Sequence, residues 1–268
     1  MFLHNHPTLP TGILGLLINL FILYRILYGK VFGKNFGRIW ISRAISYIGA
    51  SALFAFLLPA VAFYNANLFK AGWGRAAVHC VIFFCIASLN LNFLIAWNRC
   101  TLVICPIHYK FLFCDFKTKV LIALTWIISL MLMIPNVIEI LTQSKPDACH
   151  QSPMDSDLSP YMLPDECHNL LNFMNILVPS IAILLTVLLD TYAMWKLGHF
   201  VKIRKNYGMP LHIKNRNREK RLVRMIMVQA ITSILTYISL CFAALIRNEF
   251  LQFLASSFLW GMVQSIDG

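Results

Sequence analysis

The 268-residue chain is 59% hydrophobic and only 13% charged, with a mean hydropathy of +0.68, which excludes an ordinary soluble domain. Its net charge of +12 is gathered at alternate junctions between apolar runs, a distribution that argues against a nucleic-acid partner. Several of those runs reach the roughly 20 residues needed to cross a bilayer core of about 30 Å, so the expected class is an all-α membrane protein of about seven crossings.

The first predicted helix, about 11–28, is read as a membrane helix rather than a cleavable leader. It holds Gly15 and Asn19 four residues apart, a small residue for close packing beside a polar one for interhelical hydrogen bonding. The second, about 39–63, opens with WISRAIS, which contains Ser42 and Arg43, and Pro59 predicts a kink in its outer half. Arg43 lies near the inner boundary, where snorkelling accounts for it as well as a function does.

The third helix, about 75–105, is the segment on which the reading turns. Ser88, Asn92 and Arg99 recur at spacings of four and seven and so share one helical face. In a bilayer that face must point into protein or a water-filled cavity. Asn98 and Arg99 lie at its inner mouth, and a Pro-x-x-Tyr turn follows at Pro106 and Tyr109. The arrangement suits a receptor that hands a signal to a cytoplasmic partner. Its plain alternative is an Arg99 that only snorkels at the membrane surface.

A fourth helix, about 120–141, contains Trp126, Pro135 and Glu139, the last expected to reach the headgroup region. The connection 142–168 is rich in Pro, Ser and Asp and includes Cys149 and Cys167, the two cysteines outside apolar runs that share this acidic loop. The fifth helix, about 169–197, carries Asn172, Asn175 and Pro179 in its outer half. Its Asp190 is costly inside a membrane unless paired, and a partner from the basic inner loops is expected. A very basic loop, about 198–221, leads to helix six, about 222–246, with Gln229 and Tyr237. Helix seven, about 250–268, ends at the last residue, with Trp260, Gln264 and Asp267 on one face.

Orientation follows from charge. Of the 23 Lys and Arg, 19 fall at alternate junctions, within 25–43, 99–119 and 196–224, and the others are Lys70, Arg75, Lys145 and Arg247. Basic residues held on one side mark the cytoplasmic loops and predict an external N-terminus. Five acids, Asp147, Asp155, Asp157, Asp165 and Glu166, crowd into one outer loop, in agreement. No metal-ligand constellation and no nucleophile–base pair is evident, so neither an enzyme nor a cofactor is expected. A transporter or channel is the alternative, and charged residues clustered near helix ends count against it.

Four stretches carry a family resemblance: GLLIN with NFGRIWISRAIS (15–46), NRCTLVICPIHYKFLF (98–113), EKRLVRMIMVQ (219–229) and WGMVQSIDG (260–268). The chain resembles the nematode serpentine receptors of class x, seven-transmembrane chemoreceptors thought to couple to G proteins. The resemblance implies a rhodopsin-like bundle in the plasma membrane, with sensory-neuron cilia as the expected place. It also implies an external small-molecule ligand and a heterotrimeric G protein as partners.

Asn98, Arg99, Pro106 and Tyr109 would then serve G-protein coupling. Arg99 would reach helices five and six at rest, with Asn98 standing where rhodopsin-like receptors place an acid. The outer halves of helices three, five, six and seven would form the ligand pocket, with Val81, Phe84, Cys85, Asn172, Phe173, Tyr237 and Phe253. Asn19, Ser42, Asn92, Gln264 and Asp267 would form a polar network inside the bundle. A disulfide between Cys149 and Cys167 is expected, with Cys80 bonded to one of them as the alternative. Cys80 stands 19 residues from Arg99, about 28 Å along a straight helix. The family continues beyond the Asp-Gly at which this chain stops, and Gln264 replaces its usual His. The expectation is therefore a shortened product with a weakly anchored seventh helix.

Overall fold

The computed structural model describes residues 8–29, 33–57, 72–142 and 169–206, with single helical positions at 227, 231, 234 and 235. Among these residues the fold is all-helical. It comprises α1 (Thr8–Gly29), α2 (Lys34–Ala52) continued by a π-turn over Leu53–Leu57, α3 (Gly72–Ile104), α4 (Pro106–Leu112), α5 (Asp115–Thr142) and α6 (Asn169–Asn206). Four stretches are long and apolar enough to cross a membrane: Lys34–Leu57, His79–Ile104, Asp115–Ile134 and Leu177–Phe200. A shorter apolar stretch, Gly12–Tyr28, lies within α1.

The third helix is central, packing against α2, α5 and α6, while α1 lies on α2. Its side chains explain that position. Polar Ser88, Asn92, Asn98 and Arg99 are buried together with apolar Leu91, Leu94 and Ile95, so both kinds of face have protein against them. The peripheral helices are sided in the opposite sense from a soluble protein. Leu17, Phe21 and Tyr24 of α1, Leu124, Ile128 and Met131 of α5, and Leu184 and Leu188 of α6 are all exposed. Hydrocarbon is the solvent in which such stripes cost nothing.

Small polar contacts fasten the bundle. The Trp126 indole N–H donates to Ser42 Oγ at 2.8 Å, joining α5 to α2. Asn90 donates to Ser129 Oγ at 2.9 Å, joining α3 to α5. Between α2 and α3, Gly49 leaves the space that Phe84 fills, since a Cβ at Gly49 would stand 2.5 Å from the ring. The Phe84 ring also meets Trp126 edge-on.

Several helix boundaries differ from the sequence expectation, among them the start of α2, at Lys34 rather than near 39. The segment after α3, expected to turn at Pro106, folds instead as α4, because proline fits the first helical position, where its missing N–H costs nothing. Cys105, with φ −126° and ψ 64°, makes the break between the two helices. Next, α5 begins at Asp115 rather than near 120, with an acid in its first turn, where the helix dipole favours negative charge. Last, α6 runs on to Asn206 through residues read as loop. Straight-chain Lys and Arg are good helix formers and suit a helix C-terminus, and Gly198 alone costs only about 1 kcal/mol. Pro59, the connection 143–168 and nearly all of helices six and seven lie outside the described residues.

Candidate functional site

At the basic end of the bundle, α2, α3 and α6 converge on two buried guanidinium groups. Trp40, Arg43, Tyr47 and Ala50 recur at spacings of three and four and so line one side of α2. Arg43 is 1% exposed, and its guanidinium carbon lies 4.6 Å from the Trp40 ring centroid and 4.9 Å from that of Tyr47. Such stacking favours arginine, whose weakly hydrated plane is the easier cation to desolvate. Arg43 also donates from Nη2 to Tyr47 Oη at 3.2 Å, and Asn92 of α3 donates to the same hydroxyl at 3.1 Å. The Tyr47 oxygen thus links the α2 arginine to the polar face of α3.

Arg99 stands one full turn beyond Ile95, likewise 1% exposed, with its guanidinium carbon 5.9 Å from the Trp40 centroid. Its Nη1 lies 3.7 Å from Oδ1 of Asp190, which is completely buried on α6. At that separation the pair is a Coulombic contact rather than a close hydrogen bond. Both arginines are therefore enclosed, and neither reaches the surface as snorkelling would require. Asp190 was expected to pair with the basic inner loops, most of whose residues lie outside the described ones, and Arg99, at the inner end of α3, is a cation the described residues bring beside it. A carboxylate buried in apolar surroundings is stable as an anion only beside such a cation.

The α4 segment docks beside this cluster. Phe113 is buried with Ile39, Leu91, Leu94 and Ile95, and Trp40, Trp97 and Tyr109 pack around them. Tyr109 stacks on Phe113 with ring centroids 5.4 Å apart. Asn35 of α2 donates to the Phe113 carbonyl at 2.7 Å. Asp115 pairs with Arg38, and with Lys34 at 3.4 Å and Lys119 at 3.5 Å. The α3–α5 connection is thereby clamped to the start of α2.

The sequence-derived residues fall as follows. Asn98 is buried, and neither end of its amide has a hydrogen-bond partner among the described residues. Pro106 is exposed at the start of α4, and Tyr109 is half-buried. Val81 and Cys85 are buried against Ala50 of α2, with Leu53 and Phe84 beside them. Asn19 donates within its own helix to the Gly15 carbonyl at 2.8 Å. No hydrogen bond among the described residues joins Asn19, Ser42 and Asn92 to one another, each having a separate partner. Cys80 is exposed with a free thiol. Cys149, Cys167, Tyr237, Phe253, Gln264 and Asp267 lie outside the described residues, as do the side chains of Asn172 and Phe173.

Trp40, Arg43, Tyr47 and Asp190 were not singled out as site residues from sequence. The signal for the first three is an aromatic on each side of an arginine at helical spacing, and for Asp190 a lone acid within an apolar run.

Four spans of membrane length, lipid-compatible outer stripes and charges enclosed by α2, α3 and α6 define a multi-pass helical membrane protein. The chain belongs to the serpentine seven-transmembrane GPCR chemoreceptors of class Srx, whose family model matches residues 9–268. Among curated proteins, none matches the chain.

Proposed function

We propose that the protein is a chemosensory receptor of the plasma membrane that binds an external small molecule and signals through a heterotrimeric G protein. The observation that carries this reading is the buried Arg99–Asp190 pair, which ties the central helix to α6 at the basic end. Such a contact is made in one helix arrangement and lost in another, which is what a two-state signalling element requires. Family membership supplies the chemoreceptor class.

In this reading the bundle is rhodopsin-like, with a seventh helix over about 250–268 and an extracellular N-terminus. Asn98, Arg99, Pro106 and Tyr109 serve coupling at the cytoplasmic end. Val81, Phe84, Cys85, Asn172, Phe173, Tyr237 and Phe253 contribute to ligand binding nearer the outside. Asn19, Ser42, Asn92, Gln264 and Asp267 supply polar contacts within the bundle, and Cys149 bonds to Cys167 in the acidic loop.

The test is a ligand panel in cells reporting G-protein activation, with surface expression matched. Arg99→Ala abolishes the response while membrane insertion persists. Asp190→Asn leaves Arg99 buried without its carboxylate, destabilises the resting arrangement and raises basal signalling. A shift of about 1.4 kcal/mol in the two-state balance raises a minor active population about tenfold. Undiminished signalling by Arg99→Ala overturns the role given to Arg99. Ligand-dependent solute flux in vesicles that lack any G protein overturns the receptor reading.

A further inference from the structure

Two helix beginnings meet at one carboxylate. The start of α2 carries Lys34 and Arg38 and no acid in its first turn, although the positive end of the helix dipole disfavours cations there. Asp115, the first residue of α5, supplies the missing negative charge by pairing with Arg38, and with Lys34 at 3.4 Å. Arg38 is the better enclosed of the two, its side chain 27% exposed against 75% for Lys34, so its contact is the less screened by solvent. Lys119 also meets Asp115, at 3.5 Å, but it belongs to the same helix and joins no two elements.

Asn35 stands three residues before Arg38 and so on the same side of α2. Its amide donates to the Phe113 carbonyl at 2.7 Å. Phe113 follows the last residue of α4, where a helix leaves carbonyls without partners of its own. The two α2 side chains thus grip both ends of the passage from Phe113 to Asp115, which joins α4 to α5. A seven-residue helix needs such help, because isolated helices are marginal below roughly 12–15 residues. Tyr109 and Leu112 pack α4 on the core from within, and α2 fixes its end.

We infer that Asn35 and Arg38 of α2 are positioning residues for coupling: through Phe113 and Asp115 they hold α4, with Pro106 and Tyr109, in place for a heterotrimeric G protein. The inference rests on the coupling role proposed above. It makes α2, which is not joined to α4 in sequence, the element that sets where α4 stands. Trp40 and Arg43 follow on the same helix, so α4 and the buried arginine cluster share one frame. Loss of the Arg99–Asp190 contact then releases α6 while α4 keeps its place against α2.

Two readouts on the full chain, reconstituted in vesicles, provide the test. The first is amide hydrogen exchange, which over residues 106–113 accelerates in Arg38→Gln and Asn35→Ala while that over residues 88–99 of α3 is unchanged. The second is nucleotide exchange on a panel of purified heterotrimeric G proteins, followed against G-protein concentration. Arg38→Gln and Asp115→Asn each raise the half-saturating concentration about fivefold, the factor that about 1 kcal/mol produces, with the maximal rate kept. The double variant is no worse than either alone, because one contact is lost in all three. Arg38→Lys, which keeps the charge, recovers most of the loss, and Lys119→Gln causes none. Unaltered amide exchange over residues 106–113 overturns the inference. So does a loosened α4 with unchanged half-saturation, or a lower maximal rate at unchanged half-saturation, which reports only fewer folded receptors. A parent chain that activates no heterotrimer overturns the coupling reading itself, and this inference with it, before any variant is compared.

Discussion

At the scale of single residues, the bundle depends on which side chains are small and which charges are enclosed. Gly49 has φ and ψ any residue could adopt within α2, and its requirement is one of space, because a Cβ would stand 2.5 Å from the Phe84 ring. Moving that ring is obstructed by Phe83 and Trp126, each in ring contact with it. Gly49→Ala should therefore lower stability by about 1–3 kcal/mol, the usual cost of overpacking. A fall in the thermal midpoint of the detergent-solubilised protein is the measure, and an unchanged midpoint would mean that Phe84 moves freely. Neither constraint could be read from the chain, since a glycine in a helix pattern does not name its neighbour across the interface. Arg99 was legible, because spacing placed it on the face of Ser88 and Asn92. Which residue of the expected fifth helix it meets was not, since Asp190 is 91 residues distant and only the packing of α3 on α6 brings them within 3.7 Å.

At the scale of elements, spans are legible and their ends are not. A membrane span needs length and apolarity alone, which the residue order displays directly. Its end depends on competition between helix propensity and local anchors. Lys117 and Lys119 read as loop residues, yet they belong to α5 because Asp115 starts that helix and Arg38 holds Asp115. The same competition let α6 continue past Gly198. Contacts between elements follow this logic, as with the indole of Trp126, which donates to Ser42 across the α2–α5 interface. Trp126→Phe keeps most of the ring contact with Phe83 and Phe84 but deletes the donor. Interhelical hydrogen bonds in membranes are worth about 0.6 kcal/mol on average and about 1.7 at most. The substitution should accordingly lower the thermal midpoint only slightly, with Ser42→Ala giving a similar loss and the double variant no more than either alone. Additive losses would show that the two side chains act through separate contacts.

At the scale of the whole molecule, charge asymmetry and buried charge address different questions. The basic residues between spans specify orientation, because lysine and arginine are retained on the cytoplasmic side during insertion. Arg43 and Arg99 are among the 19 basic residues at those junctions, yet both are buried and contribute to the site rather than to the surface. Leaving them aside still leaves 17 against the four at the other junctions, so the expected orientation does not depend on them. Two of those 17, Lys196 and Lys202, are carried by α6, the first within and the second just beyond an apolar span that ends at Phe200. An epitope inserted after Asn206 should thus be stained only in permeabilised cells, whereas one placed before Thr8 should be stained in intact cells. Reversing the result at both sites would invert the topology and move Arg99, Asp190 and α4 to the outside, where no G protein could reach them. Staining at both sites in intact cells would mean an even rather than odd number of crossings between them, which the four described spans and the apolar stretch of α1 would then have to accommodate. The orientation thus decides whether the enclosed pair at the basic end faces the compartment that its proposed partner occupies.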